Sequence, residues 1–295
     1  MIIDAHHHLW DLSQKKHSWL INDIEDSFLG DYQAIRKDYL LQNYLQNAKN
    51  INVTKSIHVQ AGWDKADPVG ETAWLQAMAD KHGFPHGIVA FADFTSDDIE
   101  KTLAEHSQFT NVRGIRQILN WHENPYLSGC AKDYANMSIW QRNFGLLAKY
   151  NLSFDAQIYP SQMDTIIKLA KLYPDIQIVL NHAGMPLFKH KVTNFEVWKN
   201  NLKQLALFSN ITIKISGFGM FDHNWTVEKI KPLILTTIDI FGIERCMFAS
   251  NFPVDTLYSN LDKSYDACKN IMEKFSVTEK QKFFYDNAER IYRLF

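Results

Sequence analysis

Cysteine is scarce in this chain. Cys130, Cys246 and Cys268 stand far apart, odd in number and without a CxxC pair, which argues against a disulfide framework and for a reducing cytoplasm. None of the three has the setting of a nucleophile. Long apolar runs are also missing: no window approaches the roughly 18 uninterrupted apolar residues of a membrane span, and no basic segment followed by an apolar core opens the chain. A soluble, cytoplasmic protein with no membrane partner is therefore expected. Charge of one sign is not in excess either. A net charge of -2, with no Lys/Arg run and no aromatic-plus-basic motif, argues against nucleic acid as a partner. No Pro/Gly/Ser-rich linker, charge block or low-complexity tract divides the 295 residues, so a single domain over 1–295 is expected.

What the chain does have is core material and a period. With 46% hydrophobic and 22% charged residues it can bury a sizeable interior. Eight short apolar, β-branched runs recur: Met1 to His8, Asn52 to Gln60, Pro85 to Asp93, Asn111 to Leu119, Leu152 to Tyr159, Ile176 to Gly184, Ile211 to Gly217 and Cys246 to Val254. Between most of them lie helix-length segments with apolar residues at three-and-four spacing, such as Met163, Ile166, Ile167 and Ala170. Eight doubly buried strands alternating with helices predict a parallel (β/α)8 TIM barrel. A doubly wound open sheet is the alternative, but the glycine-rich turn it needs after its first strand is absent. An insertion after strand one, about 11–32, carries Trp19 and Phe28 next to Trp10 and is placed over the barrel mouth. A Thr-Glu-Lys-Gln capping box at Thr278 is expected to open the final helix, which continues through Phe283, Phe284 and Ile291.

Polar residues gather at the expected strand ends, where such a barrel carries its reactive groups. Strand one ends in His6, His7 and His8, and alternation turns His6 and His8 to one face and His7 to the other. That pair is either two metal ligands or two neutral groups that grip a polar substrate. Strand two adds His58 and Gln60, strand four Arg116 and Gln117, strand five Asp155 and Gln157. Taken singly, His58 reads equally well as a satisfied core residue. His182 is followed by Gly184 and Pro186, which suggests a backbone bend at a strand end.

Four segments together resemble a known family: Asp4-Ala5-His6-x-His8, Asn181-His182-Ala-Gly-Met-Pro186, Cys246-Met-Phe-Ala-Ser-Asn-Phe-Pro253 and Asp286-Asn-Ala-Glu-Arg-Ile-Tyr292. Over essentially its whole length the chain resembles the amidohydrolase-related group of the amidohydrolase superfamily, nearest to its sugar-lactone and dicarboxylate-lactone hydrolases. The resemblance implies a barrel of the metal-dependent-hydrolase type and hydrolysis of a lactone or related cyclic ester. In many members the strand-eight segment ends in an Asp that is a metal ligand or general base; here Asn251 stands there, and an amide has no lone pair basic enough to take the proton. The nearest carboxylate is Asp255, the first choice for the base, with a histidine second and a turn or N-cap role as the alternative.

Two metals are not expected, because Asn111 to Leu119 holds no Lys and Leu152 to Tyr159 no His, where binuclear members carry a carboxylated Lys and a His. A single zinc would take His6, His8 and His182 and leave a position for water; metal-free hydrolysis, known among the lactonase-like relatives, stands beside it. In either case His6, His8 and His182 would hold the water and polarise the carbonyl. Arg116 would pair with a substrate carboxylate or cluster of hydroxyls. Gln60, Gln157 and Asn251 would anchor neutral oxygens, although either glutamine could instead cap a loop. Two other readings stay open: a zinc-dependent non-oxidative decarboxylase of an aromatic or unsaturated acid, and a barrel that binds a sugar acid without turning it over. Trp10, Trp19, Trp63 and Trp121 are placed in or near the loops around the mouth.

Overall fold

The computed structural model describes residues 1–22 and 27–295; the part of the insertion at 23–26 lies outside the described residues. Eight parallel strands pair in sequence order, β1 Ile2–His7, β2 Val53–Val59, β3 Gly87–Ala90, β4 Val112–Ile115, β5 Ser153–Ala156, β6 Ile178–Leu180, β7 Ile211–Ile215 and β8 Cys246–Phe248. The ring closes just past β8, where His8 N donates to Phe252 O at 2.7 Å and Asn251 N to His6 O at 2.8 Å. This is the expected (β/α)8 barrel. Its strands are mostly shorter than the apolar runs that announced them, because the ladder ends before the run does and the last residues of each run turn into the mouth.

The strands bury both faces. Outward side chains such as Ile88, Ile115, Phe154 and Ile213 pack with helix residues including Trp140, Ile166 and Trp198 in the main core. In the helix Met163–Leu172, the three-and-four spacing buries Met163, Ile166, Leu169 and Ala170. Inward, Ile3, Ala5, Ile57, Val59, Val89, Val179 and Met247 form a second cluster with Ala288, Ile291, Tyr292 and Leu294. The C-terminal segment thus plugs the barrel at the end away from the mouth. Its cap differs from the expected one: Ser276 is the N-cap, donating Ser276 N to Glu279 Oε2 at 2.8 Å and accepting from Glu279 N at 3.2 Å. The box therefore starts two residues before Thr278, since a Ser hydroxyl with Glu three positions on satisfies both orphan amides.

One irregularity in β1 decides where the histidines point. Ile3 and Ala5 share the interior, and strict alternation would send His7 after them. The pairing with β2 slips between Asp4 and His7, a bulge that inserts one residue and re-aims those beyond it. His6 and His8 then face the interior, while His7 turns outward to stack on Tyr44 at 4.1 Å and to share a hydrogen bond of 3.0 Å with Ser56 Oγ. Asp4 holds the bulge in place, accepting from His6 N, Ser250 N, Ser250 Oγ and Tyr44 OH.

Candidate active site

A cavity of about 870 Å³ opens at the C-terminal ends of the strands. His8, Arg116, Gln157, His182 and Asn251 line it, and Trp10, Trp19, Trp63, Phe28 and Tyr32 supply its aromatic wall. Described parts of the insertion after β1 contribute Lys15, Lys16, Ser18 and Trp19 to that wall. Trp121 is not among the lining residues; its backbone N–H donates to Gln162 Oε1.

His8 is fixed by Nδ1–H, which donates to Val59 O at 2.6 Å, because a carbonyl can only accept. Its Nε2 is therefore a lone pair, and it lies 3.3 Å from His6 Nε2. The His6 and His182 rings are 4.6 Å apart, and His182 Nδ1 meets Ser216 Oγ at 2.9 Å, leaving Nε2 as its other nitrogen. His182 opens a run of left-handed backbone, with φ of 51° at His182, 50° at Ala183, 76° at Gly184 and 51° at Met185. Strain of this kind persists where surrounding structure imposes it. Gly217 makes room behind the ring: a Cβ there would lie 3.0 Å from His182 Nδ1. His58 is buried, meets Leu9 O at 3.4 Å and packs edge-on against His7 and His8 outside the cavity wall.

Arg116 crosses the cavity floor. Nη1 donates to Gln157 Oε1 at 2.8 Å and lies 3.5 Å from His6 Nε2; Nη2 donates to Gln60 O at 2.5 Å. Burial pulls its pKa down to about 10, so it stays charged at neutral pH. The side chain of Gln60 takes the loop-capping alternative, accepting from Gly62 N, and the residue meets Arg116 through its carbonyl. Gln157 does line the cavity and donates on to Asn120 Oδ1 at 3.2 Å.

Asp255 is placed otherwise than a water-activating base requires. It is 1% exposed and is not a lining residue. Its carboxylate accepts from Asn251 Nδ2 at 3.1 Å and from the backbone N–H groups of Phe218 and Gly219. Burial pushes its pKa up to about 7, against those three hydrogen bonds. Because Asn251 Nδ2 is committed to Asp255, its oxygen is the atom left for His8, whose protonated ring it favours.

In the layer beneath, Asp155 stands out in the sequence as a strand-end residue, but its partner Lys214 does not. Lys214, fully buried, donates to Asp155 Oδ2 at 2.5 Å; Tyr292 OH donates to Asp155 Oδ1 at 2.7 Å and Asn181 Nδ2 to Oδ2 at 2.9 Å. The signal was present in Ile211-Thr-Ile-Lys-Ile-Ser216, whose inward positions Thr212, Lys214 and Ser216 are all polar. Burial and the nearby cations Lys214 and Arg116 hold His6 and His182 well below the usual histidine range; burial and Arg116 do the same for His8.

These buried neutral rings predict a pH dependence of stability. His6, His7, His8, His58 and His182 all have lowered pKa values, chiefly by burial, His7 down to about 3. Below the unfolded value of about 6.5 the unfolded chain takes up protons that the folded one refuses, at about 1.4 kcal/mol per group and pH unit. Asp4 and Asp255, both raised by burial, act in the opposite sense but are fewer. Chelator-treated protein should therefore lose Tm steadily as pH falls from 7 to 5; a Tm that holds or rises over that window would contradict the neutral assignment.

The donor set meets part of what a metal ion requires. Two ligands on a tetrahedral ion at roughly 2.0–2.1 Å stand about 3.3 Å apart, which matches His6 Nε2 and His8 Nε2, and the Val59 carbonyl supplies the outer support a ligating His8 needs. Yet among the described residues no three His, Cys, Asp or Glu side chains are grouped to hold an ion, and the Arg116 guanidinium stands beside the pair. The residues fit two ligand positions and not a complete set.

Comparisons with known proteins agree with this architecture. The amidohydrolase family model matches residues 3–294. An uncharacterized protein of Sinorhizobium fredii is 46% identical over 99% of this chain and 98% of its own length. L-fucono-1,5-lactonase of Burkholderia ambifaria is 24% identical over 99% of this chain and 95% of its own. Among solved structures, an amidohydrolase from Burkholderia multivorans with bound zinc superposes with a TM-score of 0.84 at 22% identity, covering 99% of both chains. No helix among the described residues is long and apolar enough to cross a membrane.

Proposed function

Because this chain belongs to the amidohydrolase family and is a hydrolase, we propose that it opens the ring ester of a small lactone with a water molecule held at the barrel mouth. The observation that carries this reading is that His8 and Arg116 line one cavity, with His8 Nε2 at 3.3 Å and the Arg116 guanidinium at 3.5 Å from the Nε2 of the buried His6. Similarity to L-fucono-1,5-lactonase over nearly the whole chain supports a sugar lactone as the substrate type.

His8 is the base. Its Nδ1 is tied to Val59 O, its Nε2 carries the lone pair, and its low pKa keeps that lone pair free at neutral pH. Water attacks the lactone carbonyl carbon and passes its proton to His8 Nε2; the ring C–O bond then breaks, and the departing alkoxide takes the proton back. Between those events the His8 cation faces the Asn251 oxygen, whose amide is oriented by Asp255. Asp255 thus acts as a positioning residue, not as the proton acceptor. Arg116 and His182 lie where positive or donor groups stabilise the developing oxyanion. A single zinc ion, if carried, would bind His6 and His8 and add Lewis-acid polarisation; with only two ligand positions fitted, no step here depends on it.

The test is a panel of lactones followed by acid release, with metal content measured before and after chelation. The reading predicts ring opening of at least one sugar or dicarboxylate lactone by wild-type protein. It fails if none opens while a metal-loaded sample releases carbon dioxide from an aromatic or unsaturated acid.

A further inference from the structure

A second cavity, of about 550 Å³, lies apart from the first, walled by the helix Leu41–Asn47, the segment just before it and the loop after β8. Among the described lining residues only Trp10 is common to both. Its Nε1–H is taken by Lys37 O at 2.8 Å, so toward the second cavity it is ring carbon, and Ile35 and Pro253 complete an apolar floor. The wall opposite is made of carboxamides. Gln42, Asn43, Gln46 and Asn47 stand at i, i+1, i+4 and i+5 of one helix and all line the cavity, because side chains at those spacings share one side of a helix. Two of them have a fixed polarity. Asn43 Oδ1 accepts from Leu40 N at 2.9 Å, which leaves Nδ2 as a donor. Asn47 Nδ2 donates to Tyr39 OH at 2.8 Å, which leaves the Asn47 oxygen as an acceptor and the phenol proton as a donor with no taker among the described residues. Gln42 and Gln46 form no hydrogen bond with a described residue and can turn either end to a ligand.

The wall therefore offers donors and acceptors side by side. Its charges cancel, with Lys37 and Asp38 the one cation and the one anion that line it, so neither an acid nor a base is favoured. A hydroxyl both donates and accepts, and a ring that carries several of them has a carbon-and-hydrogen face to lay on the apolar floor. The volume falls within the usual range of small-molecule pockets. We propose that this cavity is a binding site for a neutral monosaccharide, separate from the catalytic cavity. The inference does not rest on the lactone reading, since no step of ring opening uses these residues.

Calorimetric titration with D-glucose, D-galactose and L-fucose tests this, with gluconate as the charged comparison. Wild type should bind at least one of the neutral sugars with a Kd of roughly a millimolar, the strength of a few hydrogen bonds in an open site. Replacing both Gln42→Ala and Gln46→Ala should weaken that binding by about tenfold or more, because two neutral hydrogen bonds are lost; Tyr39→Phe, which removes one donor and keeps the ring, should weaken it by roughly three- to tenfold. Both glutamines are exposed, so the double variant should keep its Tm, which separates lost contacts from lost fold. Three results overturn the assignment: no neutral sugar bound by wild type, equal affinity in wild type and the double variant, or gluconate bound more tightly than the sugars and weakened by the same substitutions. Wild type that binds a neutral sugar through Gln42 and Gln46 but opens no lactone overturns the hydrolase reading and leaves this site standing.

Discussion

His8→Ala lowers kcat for lactone opening by about a hundred- to ten-thousandfold, the range for loss of a positioned general base. The effect is large because no described residue of the cavity replaces the lost nitrogen. His6 Nε2 is beside the guanidinium of Arg116 and its Nδ1 has no hydrogen-bond partner, so no acceptor fixes its tautomer as Val59 O fixes that of His8. His182 is tied to Ser216. Asp255 is closed off behind Asn251. Steady-state kinetics together with Tm would check the expectation. A variant within tenfold of wild type in kcat removes His8 from the proton transfer.

Lys214→Met should cost about 3–5 kcal/mol of stability, since it leaves the Asp155 carboxylate fully buried with its cation gone. Tyr292 and Asn181 still donate to that carboxylate, but two neutral donors do not balance a buried charge. The double variant Lys214→Met with Asp155→Asn removes both charges and should recover most of the loss, as removing a whole buried pair is often near neutral. Denaturant unfolding of the single and double variants measures this directly. A single variant within about 1 kcal/mol of wild type would show that the pair does not hold the barrel layer together.

How far the sequence spoke for the structure depended on whether the signal was local. The eight strands were legible because each is an apolar run buried on both faces, and the helices because their apolar residues repeat at three-and-four spacing. His6, His8, His182, Arg116, Gln157 and Asn251 were legible as site candidates because they sit at run ends, and a barrel gathers run ends in one place. The β1 bulge was not legible: alternation gave the right relation between His6 and His8 but, carried back to Ala5, the wrong face, and only pairing with β2 reveals the inserted residue. Asp255 was misplaced for a related reason. It stands four positions after Asn251, and whether that turn points into the cavity or onto the Phe218–Phe221 helix depends on a loop distant in sequence. The Arg116–Gln157–Asn120 relay and the Lys214–Asp155–Tyr292 layer join residues 41, 37, 59 and 137 positions apart, and no periodicity encodes such partners.

Water attack at the lactone carbonyl is the central claim, and oxygen isotope transfer tests it most directly. Wild-type protein is given glucarolactone and L-fucono-1,5-lactone in water enriched in oxygen-18, and the acids formed are analysed by mass spectrometry. The account predicts one heavy oxygen in the new carboxylate of a product and none in the hydroxyl released from the ring. Label in that hydroxyl, or no ring opening of either lactone at enzyme concentrations that give a measurable background, would contradict it.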